Sequence, residues 1–108
     1  MVKVTLFKDE GLVRGFKMNG HAGSGKAGSD IVCAAASSAA YLVANTVTEV
    51  IGINAKPEVG EALMMMMLTK EQAEKAQDIL KGFELHMREL EKEHSNNIKV
   101  IYGGVNNA

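Results

Sequence analysis

Residues 2–19 read VKVTLFKDEGLVRGFKMN, two runs of alternating polarity on either side of Asp9-Glu10-Gly11. In the first run Val2, Val4 and Leu6 alternate with Lys3, Thr5 and Phe7. A period of two puts one set of side chains on each face of an extended chain, so the run predicts a strand with one buried face. The second run, Leu12 to Asn19, repeats the pattern, and the short turn between them predicts a β-hairpin.

The remaining elements follow outward from that hairpin. From Ile31 to Ile51 there is no Gly or Pro, and Gly52 ends the run. This predicts a helix that begins near Ser29 or Asp30, either of which can cap it. Its Ala-rich first turns suit close packing. Lys56-Pro57 breaks the chain, and Glu58 to Leu68 supplies strand material ending in Met64-Met65-Met66-Met67-Leu68. That run has no polar face and predicts a strand buried on both sides or placed at an interface. Thr69 with Gln72 predicts a capping box, and Ala73, Ala76, Leu80, Phe83, Met87 and Leu90 recur at helical spacing on a second helix. Ile98 to Tyr102 supplies a last strand. The expected fold is α+β, in the order ββαββαβ, a mostly antiparallel sheet packed with two helices.

At 108 residues the chain is long enough for one core, and residues 1–108 are expected to form a single domain. A net charge of −1 gives no basic excess to neutralise phosphates, so nucleic acid is not an expected partner. The alternating, acid-containing N-terminus predicts no export signal. The low-charge stretch Ile31 to Thr48 is interrupted by Ser37, Ser38, Asn45 and Thr46, and is read as too weakly apolar to span a bilayer. One unpaired cysteine points to the cytoplasm. The Met run and the Ala-rich helix face offer more apolar surface than two helices on a small sheet cover, which predicts a homodimer.

Chemistry concentrates in Gly20 to Ser38, GHAGSGKAGSDIVCAAASS, which carries His21 and the only cysteine, Cys33. If Asp30 is the N-cap, Cys33 falls in the first helical turn, where free amides and the helix dipole favour a negative sulfur, the nucleophilic form. A Gly-rich loop can fold back to bring His21 to the thiol. Read singly, Cys33 also suits a small packing position, and His21 suits a loop residue bonded to backbone. Gly23, Gly25 and Gly28 either let residues 22–29 close over a substrate as a lid or hold a fixed turn. His86 and His94 lie eight apart, which suits no compact metal site, and no metal is expected.

The combination is more specific than its parts. Gly20-His21-Ala22-Gly23, Gly28, then Asp30-Ile31-Val32-Cys33-Ala34-Ala35 and Ser37 resemble the ribosomal-processing cysteine protease family, called Prp. The resemblance covers the GHA segment, the glycine-bearing loop and the D-I-V-C-A-x-x-S helix start. It implies a cytoplasmic, homodimeric endopeptidase that needs no cofactor. Its substrate would be the large-subunit ribosomal protein numbered twenty-seven, trimmed of its N-terminal extension after a hydrophobic stretch ending in phenylalanine. His21 and Cys33 would be the catalytic pair, with Gly20, Ala22, Gly23, Gly28 and Ser29 in the substrate loop. Asp30 would cap the helix or orient His21. Two other functions would use the same chain differently. A thiol redox protein needs Cys33 oxidisable, and a non-catalytic ribosome-assembly module keeps its function in Cys33→Ala.

Overall fold

A computed structural model of the chain describes residues 1–20 and 27–105, with the side chains of 27–30 outside that description. Strands β1 (Val2–Asp9) and β2 (Leu12–Asn19) form the expected hairpin. Its two-residue turn puts Glu10 at φ 50° and Gly11 at φ 85°, the pair of positive angles that matches strand twist. The second run departs from strict alternation. Register slips between Phe7 and Lys8, so Arg14 is an extra residue in β2, and Val13 and Phe16 both reach the core. Arg14 stabilises this bulge by donating from Nε to the Leu68 carbonyl at 2.9 Å and pairing with Asp9 at 2.8 Å.

Helix α1 (Ala27–Asn45) starts before the expected cap and continues as a π-helical turn over Thr46–Val50. It stops where expected, at Gly52, which takes φ 82°. Two threonines bond back to carbonyls four residues earlier, Thr46 to Leu42 and Thr48 to Ala44, and mark the widened turn. Strands β3 (Glu58–Gly60) and β4 (Leu63–Met67) follow as a second hairpin. The capping box is present: Thr69 Oγ1 accepts from the Gln72 amide at 3.2 Å, and Gln72 Oε1 accepts from the Thr69 amide at 3.0 Å.

The predicted second helix is two helices, α2 (Lys70–Lys75) and α3 (Gln77–Glu93), offset at Ala76. The Gln77 side chain lies at the break. It accepts from the Val13 amide at 3.1 Å and donates to the Val13 carbonyl at 2.9 Å and the Ala73 carbonyl at 2.8 Å. One amide side chain thus stands in for a strand partner beside the bulge. The predicted apolar stripe holds through the offset, with Ala73, Ala76, Leu80, Phe83 and Met87 buried.

Strand β5 (Ile98–Gly104) completes a five-stranded sheet of order β3-β4-β2-β1-β5, antiparallel except for β5 against β1. The α+β expectation therefore holds, with three helices in place of two. Helices cover one face, where Val4, Leu6, Phe16, Met66 and Ile98 pack with Val32, Ala36, Leu80 and Phe83. Phe16 and Phe83 stack with ring centroids 4.7 Å apart. The Met run is not buried on both sides: Met64 and Met66 are core, whereas Met65 and Met67 lie half-buried on the other face. Alternation wins because β4 has helices on one side only.

The segment Ile31–Val50 is, against expectation, long and apolar enough by composition to cross a membrane. In this fold its inner stripe, Val32, Ala36, Ala40, Val43 and Val47, belongs to the core.

Candidate active site

Cys33 is half-buried on α1 and shares a helical stripe with Ser37 and Tyr41, four and eight residues on. This stripe faces the β3–β4 hairpin across a cleft of about 270 Å³. Val59, Gly60, Ala62, Leu63 and Met64 line the far wall, and Val2, Met18, Asn19 and Gly20 complete it. Among the described residues no charged side chain lines the cleft. It suits an uncharged, apolar chain with a few polar contacts, which Asn19, Ser37 and Tyr41 can supply.

The cleft is pinned where β2 ends. The Gly20 amide donates to the Ala62 carbonyl at 3.2 Å, which ties the end of β2 to the tip of the β3–β4 hairpin. Gly20 takes φ 102°, and a Cβ there would run into the Met1 carbonyl. Ala62 takes φ 57°, a left-handed conformation that costs a residue with a Cβ about 1–2 kcal/mol. Asn19 Oδ1 is shut off from solvent and has no hydrogen-bond partner among the described residues.

The structure brings Gly20 and Cys33 to one cleft. His21, Ala22 and Gly23 lie outside the described residues, as does most of the lid segment. Gly28, Ser29 and Asp30 belong to the first turn of α1, because the helix begins at Ala27. Asp30 is therefore its fourth residue and not its N-cap, and Cys33 is its seventh and not in the first turn. Helices leave the first four amides without intrahelical partners, so the Cys33 amide is past the free ones. The free amides lie three to six residues before Cys33, about 4.5 to 9 Å back along the axis.

Sequence reasoning gave no role to Tyr41 or to the β3–β4 wall. Spacing of four and eight from Cys33 was the available signal for Tyr41. Nothing local signals the wall, which comes from strand pairing distant in sequence. His86 lies exposed beside a separate groove between α1 and α3. Among the described residues, no three His, Cys, Asp or Glu side chains gather as a metal site.

A small α+β domain with a lone cysteine at the edge of a cleft that is uncharged among the described residues is built like a thiol hydrolase. The profile of the family described as Cysteine protease Prp matches residues 1–99, and the chain belongs to that family of cysteine proteases. Comparison with curated protein sequences finds no match. Among solved structures the chain is similar to SMU.848 from Streptococcus mutans (TM-score 0.81, 24% identity, 97% of this chain and 96% of that one). It is also similar to the essential ribosomal processing protease Prp from S. aureus in complex with a substrate peptide (TM-score 0.78, 27% identity, 95% of this chain and 100% of that one). The same protease with a covalently linked product peptide gives a TM-score of 0.76 at 28% identity, covering 95% of this chain and 100% of that one.

Proposed function

We propose that this protein is the endopeptidase that removes the N-terminal extension of the large-subunit ribosomal protein numbered twenty-seven, with Cys33 as nucleophile and His21 as base. The observation that carries this reading is that the only cysteine opens on an uncharged, mostly apolar cleft. That cleft is of the kind a hydrophobic stretch ending in phenylalanine would enter. The S. aureus relative, solved with a substrate peptide and with a covalently linked product, supports it.

The Cys33 thiol gives its proton to His21 as the sulfur attacks the scissile carbonyl. His21 returns that proton to the leaving amine, and the peptide's new C-terminal acyl group stays on sulfur as a thioester. Water, losing a proton to His21, then attacks the thioester and releases the acid while the thiol is restored. His21 follows Gly20 directly, and the tie from Gly20 to Ala62 fixes where the segment carrying the imidazole departs. Ser37, Tyr41 and Asn19 are the polar side chains of the cleft wall that can hold the substrate's peptide groups. The reaction belongs to the cytoplasm, where ribosomal proteins are made.

The enzyme acts as a homodimer paired through the outer face of α1. No charged residue interrupts Ile31 to Thr48, and Ile31 and Leu42 are 68% and 62% exposed. Of the Met run, Met64 and Met66 belong to the core, and only Met65 and Met67 remain on the open face of the sheet to add to such a contact. Incubation with the extended ribosomal protein, followed by mass measurement, tests the reaction. Two fragments that meet after the phenylalanine are expected. Intact substrate, or the same fragments from Cys33→Ala, would overturn it.

A further inference from the structure

β3 is the terminal strand of the sheet, hydrogen-bonded to β4 on one side only, and all three of its residues are exposed. Its partner Met64 is 3% exposed while Val59, directly opposite on the same face, is 58% exposed. The helix layer therefore covers β4 and leaves β3 uncovered. The space between Val59 and the Cys33-Ser37-Tyr41 stripe is the cleft itself.

The register says which backbone groups face outward. The two-residue loop Glu61-Ala62 closes on the pair Gly60 and Leu63. Such a loop closes on a hydrogen-bonded pair, and bonded and non-bonded pairs alternate along an antiparallel ladder. Val59 is then a non-bonded residue with respect to β4. Its N–H and C=O point away from the sheet, toward whatever lies along the free edge. Natural edges are guarded by proline and charge. Here Lys56-Pro57-Glu58 guards the start of the strand, and among the described residues nothing guards Val59 and Gly60, where a Cβ on Gly60 would meet only Leu63.

We infer that the substrate peptide binds as a sixth strand on the free edge of β3, exchanging two backbone hydrogen bonds with Val59. This rests on the protease reading and specifies how the peptide is held. Added strands are recognised through the main chain, and alternate side chains choose pockets. Those on the Val59–Met64 face drop into the apolar cleft beneath Tyr41, and the intervening ones face solvent. The occupant is thus an extended segment with apolar residues at every second position, carried past the Cys33 sulfur by main-chain pairing.

Val59→Pro removes the outward N–H and leaves the β4 ladder intact, which proline tolerates on an edge. With a synthetic peptide spanning the cleavage site, Val59→Pro is expected to raise KM about tenfold, the effect of losing one hydrogen bond of ordinary strength. Amide-to-ester replacement along the peptide gives the reciprocal reading, and it serves also if Val59→Pro fails to fold by circular dichroism. One ester in the segment before the scissile bond should weaken binding to Cys33→Ala about tenfold by fluorescence anisotropy, and its immediate neighbours should change it about twofold at most. A KM unchanged in folded Val59→Pro, or a flat ester series, overturns strand addition. Failure of wild-type protein to cut the all-amide peptide overturns the protease reading instead, and the anisotropy series still decides how the peptide sits.

Discussion

At the scale of single residues, the consequences of substitution divide into chemistry and geometry. Cys33 packs against the core only partly and sits among alanines on α1, so Cys33→Ala keeps helix and packing while removing the sulfur. Cleavage is expected to vanish in Cys33→Ala and Cys33→Ser, and to fall severely in His21→Ala, with an unchanged thermal transition in the cysteine variants. Product mass after prolonged incubation checks this, and full-rate cutting by either cysteine variant would discard the nucleophile. Gly15 fails for a different reason. A Cβ there would run into the Met66 carbonyl and come within 2.9 Å of the Met67 sulfur, because Met67 lies across the glycine on the open face. The Met67 side chain can swing aside, but the Met66 carbonyl cannot yield without breaking the β2–β4 ladder. Gly15→Ala should therefore cost about 2–3 kcal/mol, the scale of overpacking, read as a drop in the denaturation midpoint with the slope unchanged.

At the scale of elements, α3 is fastened to the β1–β5 edge by a polar cluster and by the Val100 amide, which donates to Glu91 at 2.7 Å. Glu84 accepts from the Tyr102 hydroxyl at 2.7 Å and pairs with Lys8 at 2.9 Å, and the Lys8 ammonium stands 5.3 Å from the Tyr102 ring centroid. Burial alone would raise the Glu84 carboxyl. The Tyr102 hydrogen bond, Lys8 and Arg88 outweigh it and hold the group below its ordinary value of 4.5. A depressed carboxylate stabilises the fold above the unfolded value and loses that contribution as pH falls through the folded one. Glu84→Gln should thus be less stable than wild type by about 1 kcal/mol at neutral pH, and the gap should close in acid. Urea midpoints at neutral and acid pH measure it, and a gap that persists in acid would refute the linkage. Tyr102 is shifted the other way, upward, by burial and by donating to anionic Glu84. Its contribution is present below 10.0 and fades as pH rises through the folded value.

These elements differ in how far they could be read beforehand. The β1–β2 hairpin, the stop at Gly52, the Thr69–Gln72 box and the α3 stripe are local, each signalled within a few residues, and each stands as expected. The bulge at Arg14 and the break at Ala76 are not local, because one glutamine side chain from α3 holds both across 64 positions of sequence. The start of α1 differs from expectation because Ser29 and Asp30 are good caps by type, yet Ala27 and Gly28 join the helix ahead of them. Cys33 and Gly20 were legible from the motif as candidates, and they line one cleft. The wall opposite them was not, since Val59 to Met64 reach the cysteine only through the pairing of β4 with β2.

At the scale of the whole molecule, α1 presents two faces with opposite demands. Its inner stripe is buried against the sheet, and its outer face shows Ile31, Ala34, Ser38 and Leu42 to solvent with no charge among them. A continuous apolar stripe of this kind marks a contact surface. Small residues at 34, 35 and 38 let a second helix approach closely, and a two-fold axis makes each copy cover the other with a single patch. The same helix carries Cys33 on a neighbouring stripe, so the proposed dimer contact and the cleft would share one rigid element without competing for side chains. Leu42→Glu places a charge in the middle of the outer face and leaves the core stripe and the Cys33 stripe untouched. Light scattering at micromolar concentration should give twice the chain mass of 11.6 kDa for wild type and the single chain mass for Leu42→Glu. A wild-type protein that runs as the single chain at every concentration would leave the outer face of α1 without a partner and end the dimer proposal.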